Sequence, residues 1–432
     1  HHCRHRLLGD DLDHRDLGHT GTGGDNHHRQ RGLMALTTAP PPSPSATAAV
    51  PRGRAVSPAW QHVDLLLIAA SAAVTAIGVL MVYSTTRVPL AASGFSPQSY
   101  MDKQATYAGI AFAAFVVTVL FDYKRYLSWA PVLYIGSILL LLATLAIGRT
   151  TLGATSWIQV GSIEVEPSEI VKVTFIISLA ALLASRKGNI SFRLLLLVLV
   201  LSLPPFLLVY KQDALGSAMV LAVVLVGMLL MAGTKGRHMV VLALLAVIAI
   251  GGVTQTGVLK QYQKDRLVTF LEAPSGVGSG NAANNTYAAG LEYNLDQSKA
   301  AIADGGIEGR GLFKGPETNL SYVPNQDTDF IFTAMAEQFG FVGSVVLLAL
   351  FAIIVWRSWR AAVLSRDLAG TLICVGVLSM LMFQVFENVG MTMGIMPVAG
   401  ITLPLMSYGG SSMVVDWVAI GLVANVGMRR FS

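Results

Sequence analysis

The chain has 432 residues, 53% of them hydrophobic and only 13% charged, with a mean hydropathy of +0.59. So little polar surface cannot cover a water-soluble globule, which leaves an all-α polytopic membrane protein. The net charge of +5 comes from Lys and Arg that fall mostly in short connections between apolar runs. That is the pattern of an orientation signal and implies no nucleic acid.

Residues 1–33 hold seven of the nine histidines and show neither helical nor strand periodicity. Met34 then opens a segment rich in Pro, Ala, Ser and Thr, so the expectation is that residues 1–33 lie outside the native protein and that 1–60 form a disordered cytoplasmic tail. No cleavable signal is evident, and the first span is expected to direct insertion. Cys3 and Cys374 make neither a CxxC nor a zinc pattern.

A hydrocarbon core of about 30 Å needs about 20 apolar residues per helix. That ruler predicts ten spans: 63–84, 105–121, 127–148, 168–185, 192–210, 214–233, 238–258, 330–356, 368–389 and 409–428. Lys124 and Arg125, Arg186 and Lys187, Lys235 and Arg237, Arg357, Arg360 and Arg366, and Arg429 and Arg430 fall on alternate sides. Those connections are expected to be cytoplasmic, with both termini. The segments 85–104, 149–167, 211–213, 259–329 and 390–408 then face outward, within a membrane domain over 61–430. Small residues Gly340, Gly343 and Gly370 would suit either packing within the bundle or the approach of a partner helix.

The unusual sequence gathers on the outward side. In EPSEIVK, Pro167 suits a first helical turn, and Glu169 and Lys172 stand i and i+3 on one face. Charge inside a membrane is costly, so this pair either holds helices together or offers Lys172 as a counter-charge for a phosphate. Lys211, in KQDALGSA, would meet an anionic headgroup or snorkel at the interface. The segment 259–329 is too long for a plain connector. It brings Arg266, an expected flexible insert around 276–290, and Gly305, Gly306, Gly309, Gly311 and Gly315, which permit sharp turns or a close approach to a ligand. It ends in VPNQDTDFIF, where Asp329 stands at the head of an apolar run and is either a helix cap or a catalytic acid. In the last outward segment, glycines and prolines interrupt two apolar runs, and such backbone must be buried in protein or line a cavity. Ser407 and Tyr408 there favour a cavity wall, and Glu387 and Asn388 need partners.

The motifs WIQVG and EPSEIVK at 157–172, QSKAAIADGGIEGRG at 297–311, VPNQDTDFIF at 323–332, AEQFGFVG at 336–343 and NVGMTMGIMPVAGITLPLMSYGGSS at 388–412 together resemble the shape, elongation, division and sporulation (SEDS) family of bacterial cell-wall polymerases, on the RodA side more than the FtsW side. The resemblance implies a multi-pass enzyme of the bacterial cytoplasmic membrane that polymerises lipid II into glycan strands at its outer face for elongation and shape. It also implies a class B penicillin-binding protein as partner. Asp329 is then the catalytic acid, and Glu169, Lys172, Lys211, Arg266, Gln297, Ser407 and Tyr408 are substrate-binding residues. No cofactor is required by the motifs, and no dedicated metal ligands are visible, although a divalent cation (Mg or Mn) would suit the pyrophosphate. Three departures stand out: Asn325 and Asp327 replace the family's Glu and His, Glu166 replaces a Gln, and QDALGSA replaces a QPDLGTA-like turn. A lipid II flippase and a non-catalytic scaffold are the rival expectations. A flippase wants its polar groups near the bilayer midplane, and here they gather at one face.

Overall fold

The computed structural model describes residues 62–151, 154–160, 163–186, 190–244 and 286–431. The first sixty residues, the remainder of the expected seventh span beyond 236–244, which are helical, and Arg266 lie outside the described residues.

The chain runs through α1 Leu65–Ala92, α2 Ser99–Leu120, a short α3 Tyr123–Ser128 and α4 Ala130–Ile147. A small antiparallel sheet follows, with β1 Arg149–Thr151, β2 Ala154–Val160 and β3 Ile163–Val165 in that spatial order. Then come α5 Pro167–Ala184, α6 Phe192–Lys211 and α7 Leu215–Met231. After the undescribed stretch the chain continues as α8 Thr286–Gly305, α9 Pro316–Asn319, α10 Ile331–Val363, α11 Leu368–Met393 and α12 Gly410–Met428. Among the described residues eight helices are long and apolar enough to cross a membrane, and α7 is apolar but shorter, at 17 residues. All but the seventh of the expected spans thus coincide with a described helix. The most buried are α5, α11 and α12, which form the centre of the bundle.

Caps set several helix starts. Asp64 accepts from the Leu67 amide at 3.1 Å, and Asp367 accepts from the Gly370 amide at 2.8 Å. Gly394, left-handed at φ 79°, ends α11. Of the small residues, Gly370 faces Val426 of α12 and packs within the bundle, whereas Gly343 faces Phe339 and Met335 of its own helix.

Two expected loops hold regular structure. In 149–167, Ile158, Gln159 and Val160 of β2 pair antiparallel with Val165, Glu164 and Ile163 of β3. In 259–329, Leu295, Ser298 and Ala301 are all buried along α8, at helical spacing, and residues 286–290 of the expected flexible insert belong to that helix. Two glycines of this segment closely approach the backbone of α10, and Gly315 approaches the Glu337 carboxylate. A Cβ on Gly305 would lie 2.1 Å from the Ala336 carbonyl oxygen and one on Gly309 2.3 Å from that of Gln338.

That approach has a cause in α10. Gly340, at φ 64° and ψ −160°, breaks the helix and exposes backbone groups that hydrocarbon would leave unsatisfied. The 306–311 segment satisfies them. Phe341 and Val342 amides donate to Gly306 and Ile307 carbonyls at 2.9 and 3.1 Å, while Arg310 and Gly311 amides donate to Glu337 and Gln338 carbonyls at 3.0 and 2.9 Å.

At the opposite end, expected to face the cytoplasm, Asn425 of α12 joins α2 to α3. Its amide donates to the carbonyls of Thr118, at 2.7 Å, and Phe121, while its oxygen accepts from the Tyr123 amide at 3.2 Å and from Arg429 Nε at 2.9 Å. Asn425→Leu strands these buried groups, and the expected loss is about 2–4 kcal/mol of stability, seen as a lower melting temperature in detergent.

Candidate functional site

The site is built around the turn before α10. Asn325, left-handed at φ 54°, accepts from the Thr328 and Phe330 amides at 3.2 and 3.1 Å. Gln326 is buried and donates to Thr85 and Thr318 carbonyls, both at 2.9 Å. The N-cap of α10 is Phe330, which makes no side-chain capping bond, and Asp329 stands one residue before it.

Three consecutive carbonyls of this turn are each pinned by the 388–408 segment. The Tyr408 amide donates to Asp327 O at 2.8 Å. The Ser407 hydroxyl donates to Thr328 O at 2.6 Å and accepts from the Leu403 amide at 2.9 Å. Asn388 Nδ2 donates to Asp329 O at 2.8 Å and to Ile401 O at 2.7 Å. The backbone leading into α10 is therefore held at three successive carbonyls, the last of them that of Asp329, whose carboxylate lies beside Gly400, 3.5 Å from where a Cβ would stand. Gly400 is left-handed, at φ 69°, so any side chain there is both strained and close to the acid.

A charged group lies beside this turn. Lys172 Nζ is buried and donates to Glu169 Oε1 at 2.7 Å. Glu166, before α5, lies within electrostatic reach of Glu169, Lys172 and Asp329, and Asp416 of α12 within reach of Glu169 and Lys172. Asp416 also accepts from the Leu405 amide at 2.9 Å, which ties the last outward segment to α12. Lys172 is thus a buried cation among several carboxylates. Glu166 donates its amide to Ser411 Oγ at 2.9 Å and accepts from the Ser168 hydroxyl at 2.6 Å. Burial first, and then the charges of Glu169 and Asp329, push its carboxyl up to about 7. A carboxyl raised by folding favours the fold when protonated. Its contribution is complete below about 4.5 and is lost as pH climbs through about 7. Glu166→Gln is therefore expected to melt like the parent at pH 5 and to be more stable at pH 8, by about 1–3 kcal/mol.

The other expected binding residues are dispersed. Lys211 is exposed at the end of α6, and Gln297 is half-buried on α8. Its neighbour Ser298 is buried against Thr333, 2.6 Å away, and donates to Thr392 O at 2.9 Å, fixing α8 to α10 and α11. Among the described residues no group of three or more His, Cys, Asp or Glu is placed to hold a metal ion.

Two further residues organise the outward segment, and their motif was legible without their roles. Glu337, fully buried, accepts from the amides of Glu317 and Thr318 at 2.7 and 3.0 Å and from the Thr318 hydroxyl. Gln338 Oε1 accepts from the Ser84 hydroxyl at 2.8 Å and the Phe313 amide at 3.0 Å. A polar pair inside an apolar run is the signal, since such groups persist only with partners.

Comparison with known proteins agrees with this architecture. A family model for cell cycle proteins, covering FtsW, RodA and SpoVE, matches residues 64–431. Stage V sporulation protein E of Bacillus subtilis (strain 168) is 32% identical over 370 residues, covering 84% of this chain and 96% of that one. Peptidoglycan glycosyltransferase MrdB of Escherichia coli (strain K12) is 32% identical over 352 residues, covering 81% and 91%. Among solved structures, a chain from a peptidoglycan synthase complex that coordinates polymerization and crosslinking aligns with a TM-score of 0.71 at 29% identity, covering 86% of this chain and 99% of that one. The rod shape determining protein RodA of Thermus thermophilus aligns with a TM-score of 0.62 at 27% identity, covering 87% and 100%. With its helices, its pinned acidic turn and a family match over nearly all described residues, the chain belongs to the FtsW/RodA/SpoVE family of multi-pass membrane proteins.

Proposed function

We propose that this chain is a peptidoglycan glycosyltransferase of the bacterial cytoplasmic membrane, which joins lipid II units into glycan strands at the outer face. One observation carries the site assignment: an acid beside a glycine, with its own carbonyl and the two before it fixed by hydrogen bonds. A base held in that way is aimed before substrate arrives.

In the reaction, the acceptor sugar's 4-hydroxyl oxygen bonds to the anomeric carbon of the donor as its proton passes to Asp329. The anomeric C–O bond breaks, its electron pair leaves with undecaprenyl pyrophosphate, and the centre inverts. The pyrophosphate is a good leaving group, so the site supplies positive charge and not a strong acid. Lys172 is the buried cation beside the turn, and it would exchange its Glu169 partner for a phosphate oxygen. Lys211 and Arg266 are the remaining candidates. A divalent cation would assist at the pyrophosphate, but no step here depends on one. Both termini are placed in the cytoplasm by the Lys and Arg pattern, and the partner is a class B penicillin-binding protein that crosslinks the strands. The elongation role rests on motif resemblance, since the sporulation protein and MrdB are equally similar.

The test is purified protein with lipid II in detergent, alone and with the transpeptidase, with products read as glycan ladders. Strands are expected. Transbilayer movement without strands would make the chain a flippase, neither strands nor movement would make it a scaffold, and strands that form equally well with Asp329 replaced would move the base to another residue.

A further inference from the structure

We propose that Tyr100, Tyr107 and Tyr408 form a saccharide-stacking subsite, on which the sugar strand leaving the Asp329 turn lies against phenol faces; this rests on the glycosyltransferase reading. The rings converge from separate parts of the chain. Tyr100 and Tyr107 stand seven residues apart on α2, which places them on one stripe about 10 Å apart along the axis. Tyr408 comes from the segment before α12. Its ring centroid lies 4.9 Å from that of Tyr100, with planes tilted by 37°, and 6.4 Å from that of Tyr107, tilted by 54°. All three residues are half-buried, so ring surface remains exposed.

Their placement is enforced by the backbone. Gln104, buried between the two α2 tyrosines, donates to Ser407 O at 3.0 Å and accepts from the Gly409 amide at 3.4 Å, which clamps the chain on both sides of Tyr408. A Cβ on Gly410 would lie 3.1–3.2 Å from the Tyr107 ring, so the close approach of that ring suits a glycine. The same two residues, Ser407 and Tyr408, hold the carbonyls of Thr328 and Asp327. The tyrosine cluster is therefore continuous with the turn that carries Asp329.

The surroundings indicate the ligand class. A pyranose presents a flat C–H face ringed by hydroxyls, and it is matched by an aromatic plane edged with polar groups. Here Lys103 Nζ sits 5.6 Å from the Tyr100 centroid, while Asp327 and Glu164 lie within electrostatic reach of the Tyr408 phenol. Burial first, and then the neighbouring phenols and these carboxylates, hold that phenol above its usual range, so it stays a neutral O–H donor. Interfacial tyrosines commonly anchor a helix at the headgroups. Two carboxylates beside the cluster would repel an anionic headgroup, and α2 already packs on α12 through Phe115 and Trp417, whose rings are 5.4 Å apart, and through Asn425. A neutral, hydroxyl-rich sugar fits both facts.

The experiment uses the full chain in nanodiscs with chitohexaose, a β-1,4-linked N-acetylglucosamine oligomer, and reads binding by saturation-transfer NMR. Binding is expected in the parent and in Asp329→Asn, to weaken on the order of tenfold in the double variant Tyr100→Ala and Tyr107→Ala, and to be retained in Tyr100→Phe. A second arm measures strand length from lipid II. Tyr100→Ala is expected to give shorter strands and Tyr100→Phe parental ones, a rescue that a ring serving only to fold the protein would not single out in strand length. Unchanged chitohexaose binding in the double alanine variant, or strands of parental length from Tyr100→Ala, would overturn the subsite. Tyrosine-dependent chitohexaose binding by a parent protein that makes no strands would instead retire the glycosyltransferase reading and leave the sugar site standing.

Discussion

Asp329→Asn is expected to abolish strand formation while leaving the protein folded, with a fall in turnover of at least 10²–10³-fold. The size follows from the role. An amide of the same shape cannot take the acceptor's proton, and a sugar hydroxyl is too weak an acid to attack without transferring one. The hydrogen bonds from Asn388, Ser407 and Tyr408 that hold the turn reach backbone carbonyls, which the substitution leaves in place. The check is paired: a melting curve within a few degrees of the parent, and no ladder from lipid II. A full ladder from a folded Asp329→Asn protein would remove the acid from the mechanism.

Asn388→Leu is the second large effect, and it acts through position. The substitution leaves the carbonyls of Asp329 and Ile401 without their donor, at about 1–3 kcal/mol for each buried group. It also frees the two segments that set the distance between the acid and Gly400. A shift of about 1 Å at a reacting group is worth on the order of 10²-fold in rate. The expected result is a lower melting temperature together with a fall in kcat greater than any change in KM. Asn388→Asp keeps the shape and loses the donor, so it should also be slow. Full activity from both variants would mean that the backbone clamp has no part in catalysis.

Much of this was legible in the residues alone. Apolar run length located the spans because hydrocarbon thickness fixes how many residues a helix needs, and Gly and Pro interruptions marked the segment that had to be buried. Asp329 stood out because an acid at the head of an apolar run lies at the membrane boundary. The residue at the N-cap position of α10 is Phe330, one place after it. The sheet before α5 and the helix α8 were less evident. The sheet rests on a hairpin only a few residues long, and α8 has modest hydrophobicity, so neither produces the long periodic pattern that sequence reading detects best.

Long-range pairing was beyond reach. That Ser407 would serve the Thr328 carbonyl, that Gly305 and Gly309 would press on α10, and that Glu166 would lie within electrostatic reach of Asp329 all depend on contacts between distant segments. Composition and spacing determined that this protein is a helical membrane bundle whose unusual polar and glycine-rich motifs lie between its apolar runs, because local hydrophobicity and charge are properties of short stretches. Only the tertiary structure decided which polar groups meet there, since a buried donor or acceptor must find a partner wherever the folded chain provides one.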